Sequence, residues 1–292
     1  MKAPVAGVLE QIAPGVRRCL APNPSPMTYW GTNTYILGRG EVTIVDPGPA
    51  DPTHIATLLA ALGEGEVVTQ ILVTHAHLDH SPGASLIDAP VLAFGDAASG
   101  RSPRMDGIDV GGGEGVDIDF RPDTCLSDGA KLETSIGAVT ALWTPGHFGN
   151  HLSFALPNGI VLTGDLVMGW ASSLVSPPDG DLTDFMASLD LLAARTGDHL
   201  YLPGHGAPIS APHIRVSELR AHRMMRHAQI LDALALAPGT ATTLAARIYT
   251  EIDPALLPAA ARNVLAHLID MAEKSEVSFE GDLAATTHFH LS

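Results

Sequence analysis

Apolar and β-branched residues fall along this chain in short runs, and many of the runs end alike. Val67-Val68-Thr69-Gln70-Ile71-Leu72-Val73 reads as a buried strand. Thr34 to Leu37, the turn Gly38-Arg39-Gly40-Glu41 and Val42 to Val45 read as a β-hairpin that ends in Asp46-Pro47-Gly48. A helix should open at Asp51-Pro52, a side-chain acceptor followed by a proline whose missing N–H is harmless there, with Ile55, Leu58, Leu59 and Leu62 on one buried face. Val91 to Phe94, Val139 to Trp143, Ile160 to Leu162 and Leu200 to Leu202 are further strands. Residues 95–124 show no sustained period and hold Gly111-Gly112-Gly113, as expected of either a functional lid or a surface insertion. After residue 211 the pattern turns helical, over Pro212–Leu236, Thr243–Ile252 and Pro258–Ala272, the last with Val264, Leu265, Leu268 and Met271 on one side. Val277–Phe279 and Thr287–Leu291 flank Gly281 as a small strand pair. The pattern predicts an α/β domain over residues 1–211 and a smaller, mainly helical one over 212–292.

The strand ends carry the chemistry. The run at 67–73 leads into Thr74-His75-Ala76-His77-Leu78-Asp79-His80, where three imidazoles and a carboxylate lie within six positions. A loop leaving a strand can aim such side chains at one point, and nitrogen and oxygen donors without thiolate suit a borderline divalent cation such as zinc. Three later runs end in Gly146-His147, Gly164-Asp165 and Gly204-His205, each a candidate ligand after a glycine that lets the backbone turn tightly. Each alone is an ordinary loop residue; four strand ends with the same chemistry point to one site.

Composition narrows the classes. Of 292 residues 46% are hydrophobic and 16% charged, the balance of a compact globular chain, and the net charge of −16 disfavours a broad nucleic-acid face. Cys19 and Cys125 are the only cysteines, too few for a disulfide framework, and no apolar run reaches the length of a membrane span, so a cytoplasmic protein is expected.

The order His75-x-His77-x-Asp79-His80, His147, Asp165, His205 resembles the metallo-β-lactamase superfamily over roughly the first 210 residues. That resemblance implies a four-layer αββα sandwich with two divalent metal ions at one edge between the sheets, zinc in the first place, iron or manganese otherwise. It implies that His75, His77 and His147 bind one ion, that Asp79, His80 and His205 bind the other, and that Asp165 bridges them. Asp46 resembles the carboxylate that orients a ligand from behind. Asn23-Pro24-Ser25-Pro26-Met27-Thr28 with Gly31-Thr32-Asn33-Thr34-Tyr35, together with the helical tail, resembles the lactamase-β-like hydrolase branch that carries a C-terminal winged helix and includes an endoribonuclease.

Three functions follow from the sequence. The first is a dinuclear hydrolase that uses a metal-bridging hydroxide on a small ester, thioester or amide, as in the related hydroxyacylglutathione hydrolases, with Asp79 orienting that hydroxide or shuttling its proton. The second is a single-strand endoribonuclease. The third is a non-catalytic or redox protein that keeps only the fold. Charge favours a small molecule over RNA, since Pro258 to Ser292 holds two basic residues, Arg262 and Lys274, against five acidic ones. The tail is then expected to pack on the catalytic domain, wall its cleft or join copies of the chain in a homo-oligomer. Tyr29, Trp30, Asn33 and His151 are candidates for contact with substrate. Arg220, Arg223 and Arg226 lie at near-helical spacing, beside Arg215, as either a solvated face or an anion site.

Overall fold

The computed structural model describes residues 3–292. Seven strands form the first sheet in sequence order: β1 (Glu10–Ala13), β2 (Val16–Leu20), β3 (Asn33–Leu37), β4 (Glu41–Val45), β5 (Val67–Leu72), β6 (Val91–Ala93) and β7 (Thr124–Cys125). The first four are antiparallel meanders, and β4 to β7 run parallel. The change falls where the connection after β4 contains α1 (Pro52–Ala60), long enough to return the chain to the starting edge. Asp51 caps this helix by accepting the Thr53 N–H at 2.8 Å, worth about 1 kcal/mol.

The second sheet comprises β8 (Lys131–Leu132), β9 (Val139–Trp143), β10 (Leu152–Ala155), β11 (Ile160–Gly164) and β12 (Leu200–Pro203), in the order β12-β11-β10-β9-β8. Only β11 and β12 are parallel, and α2 (Leu182–Ala193) lies in the connection between them.

Alternation along the strands builds the layers. Tyr35, Leu37, Val45 and Leu72 of the first sheet meet Val139, Leu152, Phe154 and Leu162 of the second in one core. On the far face of the first sheet Ile36, Ile44 and Ile71 pack with Ile55 and Leu58 of α1. On the far face of the second, Val161 and Tyr201 pack with Phe185 and Leu189 of α2 and with Val216 and Leu219 of α3 (Pro212–Leu236). The architecture is the expected αββα sandwich. Strand β5 departs from the buried reading: Val67 is exposed and only Ile71 and Leu72 are fully covered, because β6 pairs only with that end.

The C-terminal residues form α4 (Ala241–Ile248), α5 (Leu257–Glu273) and the antiparallel pair β13 (Val277–Phe279) and β14 (Phe289–Leu291). The short helix starts and stops earlier than its apolar pattern suggests, since Thr240 caps it and Pro254 opens a separate single turn. Ile230 and Leu234 of α3, Leu244, Val264, Leu268 and Phe289 share this core. It also takes in Met105 and Val110, so the segment 95–124 is not a loose surface insertion. Among the described residues no helix is long and apolar enough to cross a membrane.

One buried group in α5 makes the C-terminal core sensitive to acid. His267 is 2% exposed and neither ring nitrogen has a hydrogen-bond partner. Burial, reinforced by the nearby Arg223 and His227, holds its pKa well below the usual 6.5. The ring is therefore neutral in the folded chain and protonates first in the unfolded one. Its contribution to stability is complete above pH 6.5 and is lost as pH falls from there toward the folded value, at up to about 1.4 kcal/mol per pH unit. His267→Met should melt no lower than the parent at pH 8 and show a shallower loss of stability between pH 6.5 and 5. Denaturant titrations across that range test this, and parallel curves for the two proteins would refute it.

Candidate metal centre

Four strands of the two sheets deliver side chains to one edge. β5 of the first sheet runs into Thr74–His80, and β9, β11 and β12 of the second run into His147, Asp165 and His205. All seven candidate ligands come together. His75, His77 and His147 form one group, Asp79, His80 and His205 another, and His75, His80 and Asp165 a third between them, with the ligand atoms of each within 4.8 Å of one another. His75 Nε2 and His147 Nε2 stand 2.8 and 3.1 Å from His77 Nδ1, and His80 Nε2 stands 3.3 Å from His205 Nε2. Tetrahedral ligands about 2.0–2.1 Å from a zinc ion lie about 3.3 Å apart, so these spacings suit donors around a cation.

The far sides of the rings support the same arrangement. His147 Nδ1–H donates to Leu174 O at 2.7 Å, His205 Nδ1–H to Gly31 O at 3.2 Å and His80 Nδ1–H to Asp46 Oδ2 at 2.9 Å. Each bond places a proton on Nδ1 and leaves Nε2 as the nitrogen that faces the cluster. Asp46 is itself held by the Thr74 N–H and hydroxyl, both at 2.7 Å, with a backbone φ of 52°. A non-glycine residue in that left-handed region stores of order 1 kcal/mol, which these bonds offset.

Glycine permits the close approach at two turns. A Cβ on Gly204 would lie 2.3 Å from Asp165 Oδ1, and one on Gly164, whose φ is +46°, would lie 2.5 Å from His151 Nε2.

The electrostatics divide the site. Burial holds His75, His77 and His147 below their usual range, His77 at about 3, so these rings are free bases. Burial would lower His80 and His205 too, but Asp79 and Asp165 outweigh it, pushing His80 well up and His205 to about 9. Asp79 and Asp165 lie well below the carboxylate range: desolvation raises them, and His80 and His205 more than reverse it. Buried carboxylates that draw protons onto neighbouring imidazoles are a site short of positive charge, and one carboxylate oxygen, Asp165 Oδ1, has no hydrogen-bond partner. The donor set and its charge fit divalent metal.

A cleft of about 390 Å³ opens on His77, Asp79, His147, Asp165 and His205. Its walls include Met27, Met168 and Leu174, and the C-terminal residues Pro258, Ala259 and Arg262. Gly113, Glu114 and Gly115 form another side. That segment is pinned along the histidine loop, since Leu78 N–H donates to Gly115 O at 2.8 Å and Asp117 N–H to Ala76 O at 2.9 Å.

Several expected substrate residues sit elsewhere. His151, at about 3 through burial, accepts the Asp165 N–H at 3.2 Å and bonds Thr144 Oγ1 at 2.9 Å, so it shapes the turn that carries Asp165. Asn33 donates to Pro203 O and Gly206 O on either side of His205. Tyr29 and Trp30 stack with each other, and Tyr29 with Trp170 at 4.8 Å between centroids, lining a neighbouring cavity instead of the metal cleft. Arg220 pairs with Asp190, Arg226 lies over the Tyr249 ring, and Arg223 is buried; none of them lines the cleft. An arginine that does, Arg262, carries no local signal in the sequence beyond its place on an amphipathic helix.

Comparisons agree with this geometry. The family model of the metallo-beta-lactamase superfamily matches residues 27–205, and that of the beta-lactamase associated winged helix domain matches residues 240–286. A beta-lactamase-like protein 2 homolog of Drosophila melanogaster is 32% identical over 273 residues, covering 91% of each chain. An atrochrysone carboxyl ACP thioesterase of Aspergillus chevalieri is 29% identical over 77% of this chain and 68% of its own. A metallo-beta-lactamase family protein of Thermus thermophilus superposes with a TM-score of 0.77 at 26% identity, covering 97% of this chain and all of that one. A beta-lactamase domain protein of Burkholderia ambifaria reaches 0.82 at 24% identity, over 100% of this chain and 95% of that one. The chain therefore belongs to the metallo-beta-lactamase superfamily, as a hydrolase-fold domain followed by a beta-lactamase associated winged helix.

Proposed function

We propose that this protein is a dinuclear metal-dependent hydrolase of small carboxylic thioesters and esters. The observation that carries the reading is the position of Asp165. Its Oδ2 lies 3.2 Å from His205 Nε2 and 3.8 Å from His147 Nε2, so one carboxylate reaches both groups of donors. His75, His77 and His147 would hold one ion and Asp79, His80 and His205 the other. Nitrogen and oxygen donors without thiolate suit zinc first, with iron or manganese admitted by the same set. Divalent ions held there supply Lewis acidity, which lowers the pKa of water and polarises a carbonyl.

The protein's own groups do the rest. Asp79 is the cluster's carboxylate most open to the cleft, 28% exposed at the side chain against 9% for Asp165. Thr32 Oγ1 donates to its Oδ2 at 3.1 Å, which fixes its rotamer. Its depressed pKa makes it a poor store for a proton and a good fixed acceptor, so its role is to orient the attacking water. The apolar walls at Met27, Met168, Leu174 and Pro258 suit an acyl chain. Thioesters come first because the Aspergillus relative is named for that chemistry. A cleft of about 390 Å³ suits a small molecule better than a polynucleotide.

Protein loaded with Zn²⁺ should turn over short-chain acyl thioesters, lose that activity to a chelator and regain it on readdition. Cleavage of single-stranded RNA without thioester or ester turnover would overturn this reading in favour of a nuclease. Asp79→Ala should lower kcat by roughly 10²–10⁴, as expected when a group that handles water is lost. Turnover unchanged in that variant would remove Asp79 from the chemistry.

Asp46→Asn should weaken metal binding by about 10- to 100-fold, because an amide nitrogen in place of Oδ2 cannot accept from His80 Nδ1–H. Competition against a chromophoric chelator measures this, and parental affinity would show that His80 needs no such support.

A further inference from the structure

The segment after Asp165 lies between the metal centre and the C-terminal helices, and both hold it by hydrogen bonds. On the side of the metal centre, Leu174 O accepts the His147 Nδ1–H at 2.7 Å. The Ser173 hydroxyl donates to Asp165 O and, at 3.0 Å, to Leu166 O. Two candidate ligands that follow different strands thus rest on two consecutive residues, 173 and 174.

On the other side, Arg223 of α3 donates through Nη2 to Ser173 O. Asn263 of α5 accepts the Val175 N–H at 3.1 Å with the same Oδ1 that accepts Arg223 Nη1 at 2.9 Å. Arg262 Nε donates to Ser176 Oγ at 2.9 Å. Residues 173, 175 and 176 are therefore fastened to helices that follow the sandwich in sequence.

Arg223 is an unusual fastening. It is 2% exposed, and among the described residues no carboxylate forms an ion pair with it. Its charge is met by the Asn263 oxygen, the Ser173 carbonyl and the face of Phe185, 4.8 Å from its guanidinium carbon. Burial lowers its pKa to about 10. A buried cation without a carboxylate is a poor source of stability compared with an apolar side chain of similar size, so stability alone does not account for it.

We propose that Arg223 and Asn263 are positioning residues for the metal centre. By fixing the peptides of 173–175 they set the Leu174 carbonyl that orients His147 and the Ser173 hydroxyl that holds the turn at Asp165. Helices α3 and α5 thus act on the affinity and geometry of the site without touching a metal or substrate through these two residues. This inference rests on the proposed ligand roles of His147 and Asp165.

The test uses the full chain and three variants, Arg223→Met, Asn263→Ala and Asn263→Asp. Zn²⁺ affinity is read by chelator competition, ligand geometry by the visible absorption of the Co²⁺-loaded protein, and stability by melting of the metal-free form. Arg223→Met should bind Zn²⁺ about tenfold more weakly than the parent, with an altered Co²⁺ spectrum measured well below its melting temperature, at the lower end of what removal of outer support costs a metal site. Asn263→Ala should show the same loss of affinity. Asn263→Asp keeps an oxygen for Val175 and adds a charge for Arg223, so it should restore affinity and spectrum and raise the melting temperature. If Asn263→Ala fails to fold, the contrast between Arg223→Met and Asn263→Asp still decides. Parental affinity and spectrum in Arg223→Met would overturn the positioning role while leaving the metal centre standing. A parent protein that binds neither Zn²⁺ nor Co²⁺ would overturn both.

Discussion

Buried negative charge at one sheet edge is the constraint around which this fold is arranged. Asp46, Asp79 and Asp165 converge on His80, whose ring nitrogens lie 2.9, 3.4 and 3.6 Å from their oxygens. Removing a carboxylate from water costs several kcal/mol unless a counter-charge or several donors replace the solvent. The protein supplies donors from both sheets: Thr74 to Asp46, Thr32 to Asp79, and the imidazoles of His80 and His205 to Asp79 and Asp165. Divalent cations held there would supply the charge that protons on His80 and His205 otherwise provide.

The sandwich makes this convergence possible. A single sheet edge offers strand ends in a row, whereas two facing sheets offer them from opposite sides of a gap. Here β5 comes from one sheet and β9, β11 and β12 from the other, so the candidate ligands surround a volume instead of lining a surface. Asn33 and Tyr35 cross that gap: both donate to Pro203 O, tying β3 to the turn that carries His205. The tie matters because a relative shift of the two sheets would move one group of donors against the other.

What was legible in the sequence was local. The β3–β4 hairpin, the cap at Asp51, the extent of α3 and the strand ends that carry His75, His147, Asp165 and His205 all depend on patterns a few residues long. What was not legible depended on partners far away in the chain. Arg223 reads as one of a spaced set of surface arginines until Ser173, fifty positions earlier, is placed beside it. Arg215 is similar, since its guanidinium donates to Met168 O and Ala171 O. His151 and Asn33 invited a role toward substrate because polar side chains near a site usually face it; they face the backbone of the turns instead. The segment 95–124 showed no period because Met105 and Val110 are buried singly, in a core formed by helices more than a hundred residues later.

The same packing bears on what the C-terminal module does. A helix that reads nucleic acid must offer one basic face to a groove. In α5 the residues from Ala260 to Met271 are nearly all buried, among them Val264, Leu265, Leu268 and Asp270. Asp270 accepts the Thr183 hydroxyl at 2.7 Å and Lys274 Nζ at 2.6 Å, which joins α5 to α2 and uses one of the module's few cations. Arg262, the other basic residue of Pro258 to Ser292, donates to Val110 O and Gly111 O at the rim of the cleft. Both basic groups are thus engaged with the protein itself, and the N-terminal turns of α5 place Pro258, Ala259 and Arg262 in the wall of the cleft that opens on the candidate ligands. A winged helix placed this way forms part of the cleft wall and leaves no basic face of α5 open to a nucleic-acid groove.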